Sequence, residues 1–437
     1  MEPTNSEKTK IFSLEEEVMA SGYEKMRKEM TERLQGIAND IGQKSTKTGR
    51  IFKKTKKTKL ELNTTFGNVE IGVLYGQDPE TKIWGCPFRE MLELTQKGHV
   101  TPLLAEKLCY TATRCGSYEA AEEVAQKWGT KIDDSTIHRE VQRAGSRAAA
   151  LREERVKRAH DTTQRKEVEE EAGKNLPKIP FSLVIMMDGW MIRERGEDWG
   201  LKPENKLGDR VEWHESKTAT IFNLAHRGET QSGRRFIIER YYESFEGSPE
   251  EFGRYVYAEA LRRGLAQAEK VYVVADGAVW IWNLAKDRFP TAIGVLDYYH
   301  ASQHLWAVAH ELFPEDEKKA RKWVRPLLRQ MKEGKEAKVI KKLDYLLQNE
   351  EQKGANKGVI ARECNYFEGH AEHLHYKDVA ADGCPKGSGA IESTCSQLQN
   401  RFKRTGQYWA RIGKDMLMVL ELARRNQDWN AIWAPAA

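Results

Sequence analysis

Two short apolar runs that each end in an aspartate constrain this chain more than any other feature. Val271 to Ala275 is apolar with no polar face, the pattern of a strand buried on both sides, and Asp276-Gly277 closes it. Trp280, Leu284 and Ala285 then recur at helical spacing until Phe289-Pro290 stops the helix, and Ile293 to Leu296 is a second run, ending in Asp297. Two acids therefore stand where two strands end. In α/β sheets that edge collects ligands and metals, because loops there project polar groups from a rigid base.

The same construction occurs earlier. Phe181 to Met187 is apolar and leads into Asp188-Gly189, and TATIFNLAH and RRFIIERYYES supply two more strand-like runs. A helix follows, with Ser248 as cap, Pro249 at its first position, Glu251 at the capping-box position and Gly264 at its end. The order β-β-β-α-β-α-β is that of a ribonuclease-H-like mixed sheet, so the fold class expected is α/β. Fold alone does not assign function.

At 437 residues the chain suits two or three domains, and a net charge of +5 implies no partner by itself. The charge distribution says more. Lys44, Lys47, Arg50, Lys53, Lys54, Lys56, Lys57 and Lys59 lie between Asp40 and Glu61 with no acid among them, which suits either a polyanion contact or a solvated linker. No apolar run of roughly 18 residues and no secretory leader pattern occurs, so a cytoplasmic protein is expected. The six cysteines form no C-x-x-C pair and read as reduced structural thiols.

Residues 1–8 read as disordered and Ile11 to Ile41 as a long amphipathic helix for packing or dimerisation, making with the basic stretch a first segment, 1–60. Residues 61–150 hold a β-hairpin around Phe66-Gly67-Asn68 and then a helix-turn-helix candidate. Its first helix is Tyr118 to Trp128, with a turn at Gly129, a cap at Asp134 or Ser135 and a second helix ending near Gly145. That helix would present Thr136, His138, Arg139, Gln142 and Arg143 to DNA, although an ordinary helical hairpin carries the same pattern. A charged helical connector, 151–180, ends at Pro177 and Pro180. The sheet domain's first part is 181–310, a polar and basic helical insertion occupies 311–386, and 387–437 returns with helices near Ser388 to Thr405 and Ile412 to Arg425.

Asp188, Asp276 and Glu392 come from three separated segments, each read as an element's end or first turn. If they converge, the carboxylates repel and raise one another's pKa values unless a cation neutralises them. Hard oxygen donors with no zinc-type His or Cys spacing point to Mg2+ or Mn2+, and two such ions suit phosphodiester hydrolysis and transesterification.

VVADGAVWIWNLAKDRFPTAIGVLDYYHASQHL resembles the second-aspartate region of Mutator-like DDE transposases of bacterial insertion sequences: the acid, a Gly, a helix, Phe-Pro, a strand, then Asp-x-x-His. GCPKGSGAIESTCSQLQNRFKRTGQYW is similar to their third-acid region and MMDGWMIRERG to their first-aspartate strand, so the resemblance spans roughly Phe181 to Trp409. It implies Asp188, Asp276 and Glu392 as the metal-binding DDE triad, Asp297 and His300 as the Asp-x-x-His pair, and a helical insertion before the last acid. It also implies a partner, double-stranded DNA at element ends and targets, bound by a homodimer or higher oligomer.

DNA contacts are expected from His138, Arg139 and Arg143, from Lys53 and Lys54, and from Arg401, Lys403 and Arg404, with Trp409 stacking on bases. Trp190, Trp280 and Trp282 read as core. A metal-dependent nuclease on the same fold, without strand transfer, and a domesticated DNA-binding protein are the competing readings. The first needs no end-specific DNA-binding region, and the second is expected to lack a carboxylate.

Overall fold

The computed structural model describes all residues except 1–4, 95–97, 175, 177, 206–207, 234, 349–356 and 435–437. The chain packs as two units, residues 1–146 with 430–437, and residues 147–429. The expected disorder at 1–8 and the stop at Pro177 fall partly or wholly outside the described residues.

The first unit begins with α1 (Asn5–Ile41), β1 (Lys53–Thr64), β2 (Gly67–Gln77), β3 (Trp84–Gly85), α2 (Pro87–Met91), α3 (Pro102–Arg114) and α4 (Tyr118–Lys127), and α5 (Asp134–His160) carries the boundary. Leu34 and Ala38 at the end of α1 cover Leu60, Leu62, Val69, Ile71 and Val73 of the hairpin. The basic stretch is not a linker where it meets the hairpin. Lys53 to Lys59 form the first half of β1, with an irregular register between Lys53 and Lys56 and a positive φ of 53° at Lys54. The expected cap also shifts, because the Asp133 carboxylate accepts the Thr136 N–H at 2.7 Å. The helix does not stop at Gly145; nothing breaks its pattern, and it runs on to His160.

The second unit continues with α6 (Gln164–Gly173), β4 (Ser182–Arg195), β5 (Val211–Asn223), β6 (Arg227–Glu229), β7 (Arg235–Ile237), β8 (Tyr241–Glu246), α7 (Pro249–Arg262), β9 (Lys270–Ala275), α8 (Val279–Arg288), β10 (Ile293–Leu296) and α9 (Tyr298–Leu312). There follow α10 (Glu317–Lys332), α11 (Glu336–Gln348), α12 (Lys357–Gly369), α13 (Tyr376–Ala381), α14 (Gly389–Phe402) and α15 (Arg411–Arg425), whereas α16 (Trp429–Trp433), apart from its first residue, belongs with the first unit. One mixed sheet has the order β10-β9-β4-β5-β8; β4 is antiparallel to β5 and parallel to β9. The element order read from the pattern is present, except that Arg235 to Ile237 pairs with Arg227 to Glu229 in a separate two-stranded ribbon, β7 with β6.

α7 has the expected cap, with Ser248 Oγ accepting the Glu251 N–H at 3.2 Å. Its face packs with α8 on Leu183, Ile185, Met187, Val271 and Val273, burying strands that have no polar side. The helices α9 to α13 pack on one another. They leave the sheet after Asp297 and return at Lys386, whose carbonyl accepts the Tyr298 N–H at 2.9 Å.

Candidate active site

Asp276 follows the last residue of β9, its Oδ1 accepting the Ala278 N–H at 3.0 Å as α8 begins. Asp188 does not end its strand. β4 pairs with β9 only through Met186↔Val274, but with β5 as far as Arg195↔Val211, so the antiparallel partner carries it on past the acid. Gly189 is therefore no turn. It leaves space for Glu215, whose Oε1 would lie 2.2 Å from a Cβ there. Continuing the β4–β9 register by two residues sets Asp188 level with Asp276.

Glu392 stands in the first turn of α14, which packs on β4 and β5; Thr220 Oγ1 donates to Thr394 Oγ1 at 2.9 Å across that contact. Burial raises the Asp188 pKa, and the charges of Asp276 and Glu392 add to the rise against the opposing Gly189 N–H at 2.7 Å and the Cys395 thiol. Among the described residues no Lys, Arg or His forms an ion pair with Asp188, Asp276 or Glu392. The charges of Asp276 and Glu392 act on Asp188, and the same two acids act on His300.

Asp297, fully buried, is the N-cap of α9. Its Oδ1 accepts the N–H groups of Tyr299 (2.6 Å) and His300 (2.9 Å), and its Oδ2 the Ser388 N–H and hydroxyl, the latter at 2.6 Å. Burial opposes its charge, but His300 and Ser388 outweigh it and hold the carboxyl below the usual range. Ser388 Oγ also lies 2.7 Å from Glu392 Oε1, so one hydroxyl proton serves two carboxylates. With every lone-pair direction engaged, Asp297 pins the two ends of the helical insertion together. His300 Nδ1, 3.5 Å from Asp297 Oδ1, is buried without a hydrogen bond, and that carboxylate raises its pKa. One ligand atom each from Asp297, His300 and Glu392 lie within 4.8 Å of one another, a spacing that Asp188, Asp276 and Glu392 do not share.

Tyr366 has no signal in the sequence. It comes from α12, stacks on His304 at 3.6 Å between ring centroids, and fills the space left by Gly277, where a Cβ would meet its Cε2 at 2.3 Å. Its hydroxyl is buried without a partner, and burial together with Asp276 and Asp297 raises its pKa. His304 itself pairs with buried Glu363. Trp282 donates to the Asp276 carbonyl at 3.2 Å and stacks on His373, which confirms a packing position.

Several expected DNA contacts are elsewhere. Arg401 is buried against the Phe402 and Trp409 rings, and Trp409 is itself core, its Nε1 donating to the Phe402 carbonyl at 2.8 Å. Its backbone bonds to Arg193 and Arg195, filling the side of β4 that β9 is too short to cover. Lys403 sits over Trp213 and Arg404 is exposed. In the first unit Lys53, Lys54, His138 and Arg139 are exposed, while Arg143 is drawn to buried Glu140 at 2.9 Å. Trp190 is buried, as expected of core.

A second acidic group, Glu194, His214 and Glu246, has its charge met in place by the buried Lys414 ammonium, which contacts both carboxylates. Among the described residues Asp188, Asp276 and Glu392 have no buried lysine of that kind, and the ionisable base beside Glu392 is His300. The carboxylate oxygens of Asp188, Asp276 and Glu392 are hard donors of the kind that suit a divalent cation, whereas the unpartnered His300 Nδ1 and Tyr366 hydroxyl are hydrogen-bonding groups. Among the described residues no helix is long and apolar enough to cross a membrane.

The family model described as "Uncharacterised protein family (UPF0236)" matches residues 5–170 and 210–432, which takes in Asp276 and Glu392 but not Asp188. No curated protein matches the chain. Among solved structures, the Drosophila P element transposase strand transfer complex is similar at 9% identity and a TM-score of 0.34, over 73% of this chain and 92% of that chain. A likeness of that size carries no argument about chemistry.

Proposed function

We propose that this chain, which belongs to the uncharacterised protein family UPF0236, is a Mutator-like DDE transposase that cuts DNA at element ends and joins the freed ends to a target. The observation that carries the reading is the set of three acids without a lysine or arginine partner among the described residues, Asp188 in β4, Asp276 just past the end of the adjacent parallel β9, and Glu392 on the helix packed against β4 and β5. The strand order β10-β9-β4-β5-β8, with only β5 antiparallel to its neighbours, supports a ribonuclease-H-like sheet.

Asp188, Asp276 and Glu392 would hold Mg2+ or Mn2+, as two ions. Bound there, the metal supplies charge neutralisation and activation of the attacking oxygen. The chain's own part is positional. Asp297 ties the insertion's ends together and holds the Ser388 hydroxyl against Glu392, and it favours the protonated form of His300, suiting that ring to a non-bridging phosphate oxygen. In the first step water attacks phosphorus and the 3′-oxygen leaves as a 3′-hydroxyl. In the second, that hydroxyl attacks a target phosphorus and the target's own 3′-oxygen leaves.

The remaining parts belong to the same proposal. Residues 1–150 bind element ends, with α4 and α5 as a helix-turn-helix presenting His138 and Arg139 and with Lys53 and Lys54 on phosphates. The connector 151–180 leads to the catalytic segments 181–310 and 387–437, which the insertion 311–386 separates. The enzyme acts as a homodimer or higher oligomer on DNA.

Asp188→Asn, Asp276→Asn and Glu392→Gln should each abolish cleavage and joining in Mg2+ on DNA carrying the ends that flank the gene, while DNA binding persists. A variant that joins ends at the normal rate removes its residue from the triad. Hydrolysis without joining by the unmodified chain would instead favour the nuclease.

A further inference from the structure

A groove of about 600 Å³ opens beside the acidic cleft, between the β6–β7 ribbon, the first turn of α9, the end of α10 and the loop entering α14. Its size is that of a ligand site, about 300–1,000 Å³. Four cations line it, Arg227, Arg235, Lys332 and Lys386, and no aspartate or glutamate does. Among the described residues Arg227, Lys332 and Lys386 have no ion-pair partner; Arg227 is spent on the Leu224 carbonyl and Lys332 lies over the Tyr298 ring. Only Arg235 has an acid near it, Glu229 at 3.9 Å, and both are exposed.

Two aromatic rings on this wall are open to solvent, Phe236 at 47% and Tyr299 at 68% exposure. A bulky ring left that exposed in a concave, acid-free site lacks a partner that a flat apolar face would supply. The groove adjoins the candidate chemistry on both sides. Tyr299 follows the cap Asp297, and Gly387 and Gly389 flank Ser388, with the Tyr299 ring 2.7 Å from where a Gly387 Cβ would stand. Glycine is needed there for the ring to lie against the backbone.

We propose that this groove holds a single DNA strand at the acidic cleft, its phosphates on the four cations and unpaired bases on Phe236 and Tyr299. The identity of the strand as DNA rests on the transposase reading, whereas the chemistry of the groove does not. Phosphates account for the cations, and stacking requires bases whose faces are free, which excludes intact duplex as the occupant of the two rings. Every base has a π-face, so the site is indifferent to sequence and differs in kind from end recognition.

The test uses the full chain, a short fluorescent oligothymidine and a duplex of equal length, with anisotropy read in EDTA across a salt series. Phe236→Ala with Tyr299→Ala should weaken single-strand binding about 5- to 150-fold per stacked base and leave duplex affinity unchanged. Lys332→Gln with Lys386→Gln should flatten the single-strand salt slope by about 0.7 per cation. All four side chains are at the surface of the groove, and a far-UV spectrum verifies the fold. On the unmodified chain, iodouracil-substituted strands should cross-link to Tyr299 or Phe236. Unchanged single-strand affinity in both variants, equal losses on duplex, or cross-links confined to residues outside the groove would each overturn the proposal. Because binding is read without metal, loss of the triad assignment leaves this result standing, and the reverse holds as well.

Discussion

Asp297→Asn should destabilise the fold far more than Asp188→Asn, although the two aspartates belong to one cleft. Asp297 is fully buried and accepts four hydrogen bonds, two on each oxygen. Asparagine keeps an acceptor for Tyr299 and His300 but turns an amide N–H2 toward the Ser388 N–H. Two charge-assisted bonds, each worth about 1.5–3 kcal/mol, are lost, and the Ser388 hydroxyl recovers about 1 kcal/mol by reversing to accept. The expected cost is about 2–5 kcal/mol. Asp188 is opposite in sign. Its pKa is raised, so its charge is a burden in the metal-free fold, and Asp188→Asn should leave stability unchanged or higher. Urea unfolding in EDTA, read from midpoint and slope, measures both. Asp297 titrates below the usual range in the fold, so its contribution is complete above the unfolded pKa of about 3.9 and is lost as pH falls toward the folded value. The gap between the unmodified chain and Asp297→Asn should therefore hold from pH 7 down to about 4 and narrow below it. An Asp297→Asn cost under about 1 kcal/mol, or a larger cost for Asp188→Asn, would refute the assignment of Asp297 as the pin of the insertion.

Tyr366→Phe removes a buried hydroxyl that has no partner, so unfolding should be unaffected while cleavage slows about 10- to 150-fold, the loss of one hydrogen bond to a charged phosphate or carboxylate; an unchanged single-turnover rate would confine the residue to packing. Glu259→Gln should cost about 1.5–3 kcal/mol by taking the charged partner from Arg263, at 2.8 Å, while Arg262 keeps Asp428 at 2.8 Å. Burial opposes the Glu259 charge, but Arg263 and Arg262 prevail and lower its pKa to about 2, so its stabilisation is whole above the unfolded pKa and fades as pH drops toward 2, which an acid titration of the melting midpoint measures. Arg139→Ala should relax preference for element ends over random DNA by about 1–3 kcal/mol, and equal discrimination in a competition assay would reduce α4 and α5 to a helical hairpin.

What the sequence by itself determined is local in origin. The apolar runs of β4, β9 and β10, the Ser248 cap and, apart from the β6–β7 ribbon, the order of elements depend on side-chain period and on neighbours one turn away, and these are present. Asp276 was legible as a strand end for the same reason, since Gly277 and a helix follow it. Asp188 was not, because β4 continues only by virtue of pairing with β5. Arg401 and Trp409 have the spacing of a basic, base-stacking helix, yet that spacing serves a buried face equally well; the gap beside β4 beyond the end of β9 decides for burial. Glu392 comes to stand on the helix beside β4 and β5 because Asp297 and Ser388 join the two ends of a long insertion, and no local pattern encodes that closure. Tyr366 beneath Gly277, and the cations from separate segments that share one groove, are likewise products of chain return. Propensity acts between neighbours in sequence, whereas a site is an agreement between segments that only packing brings together.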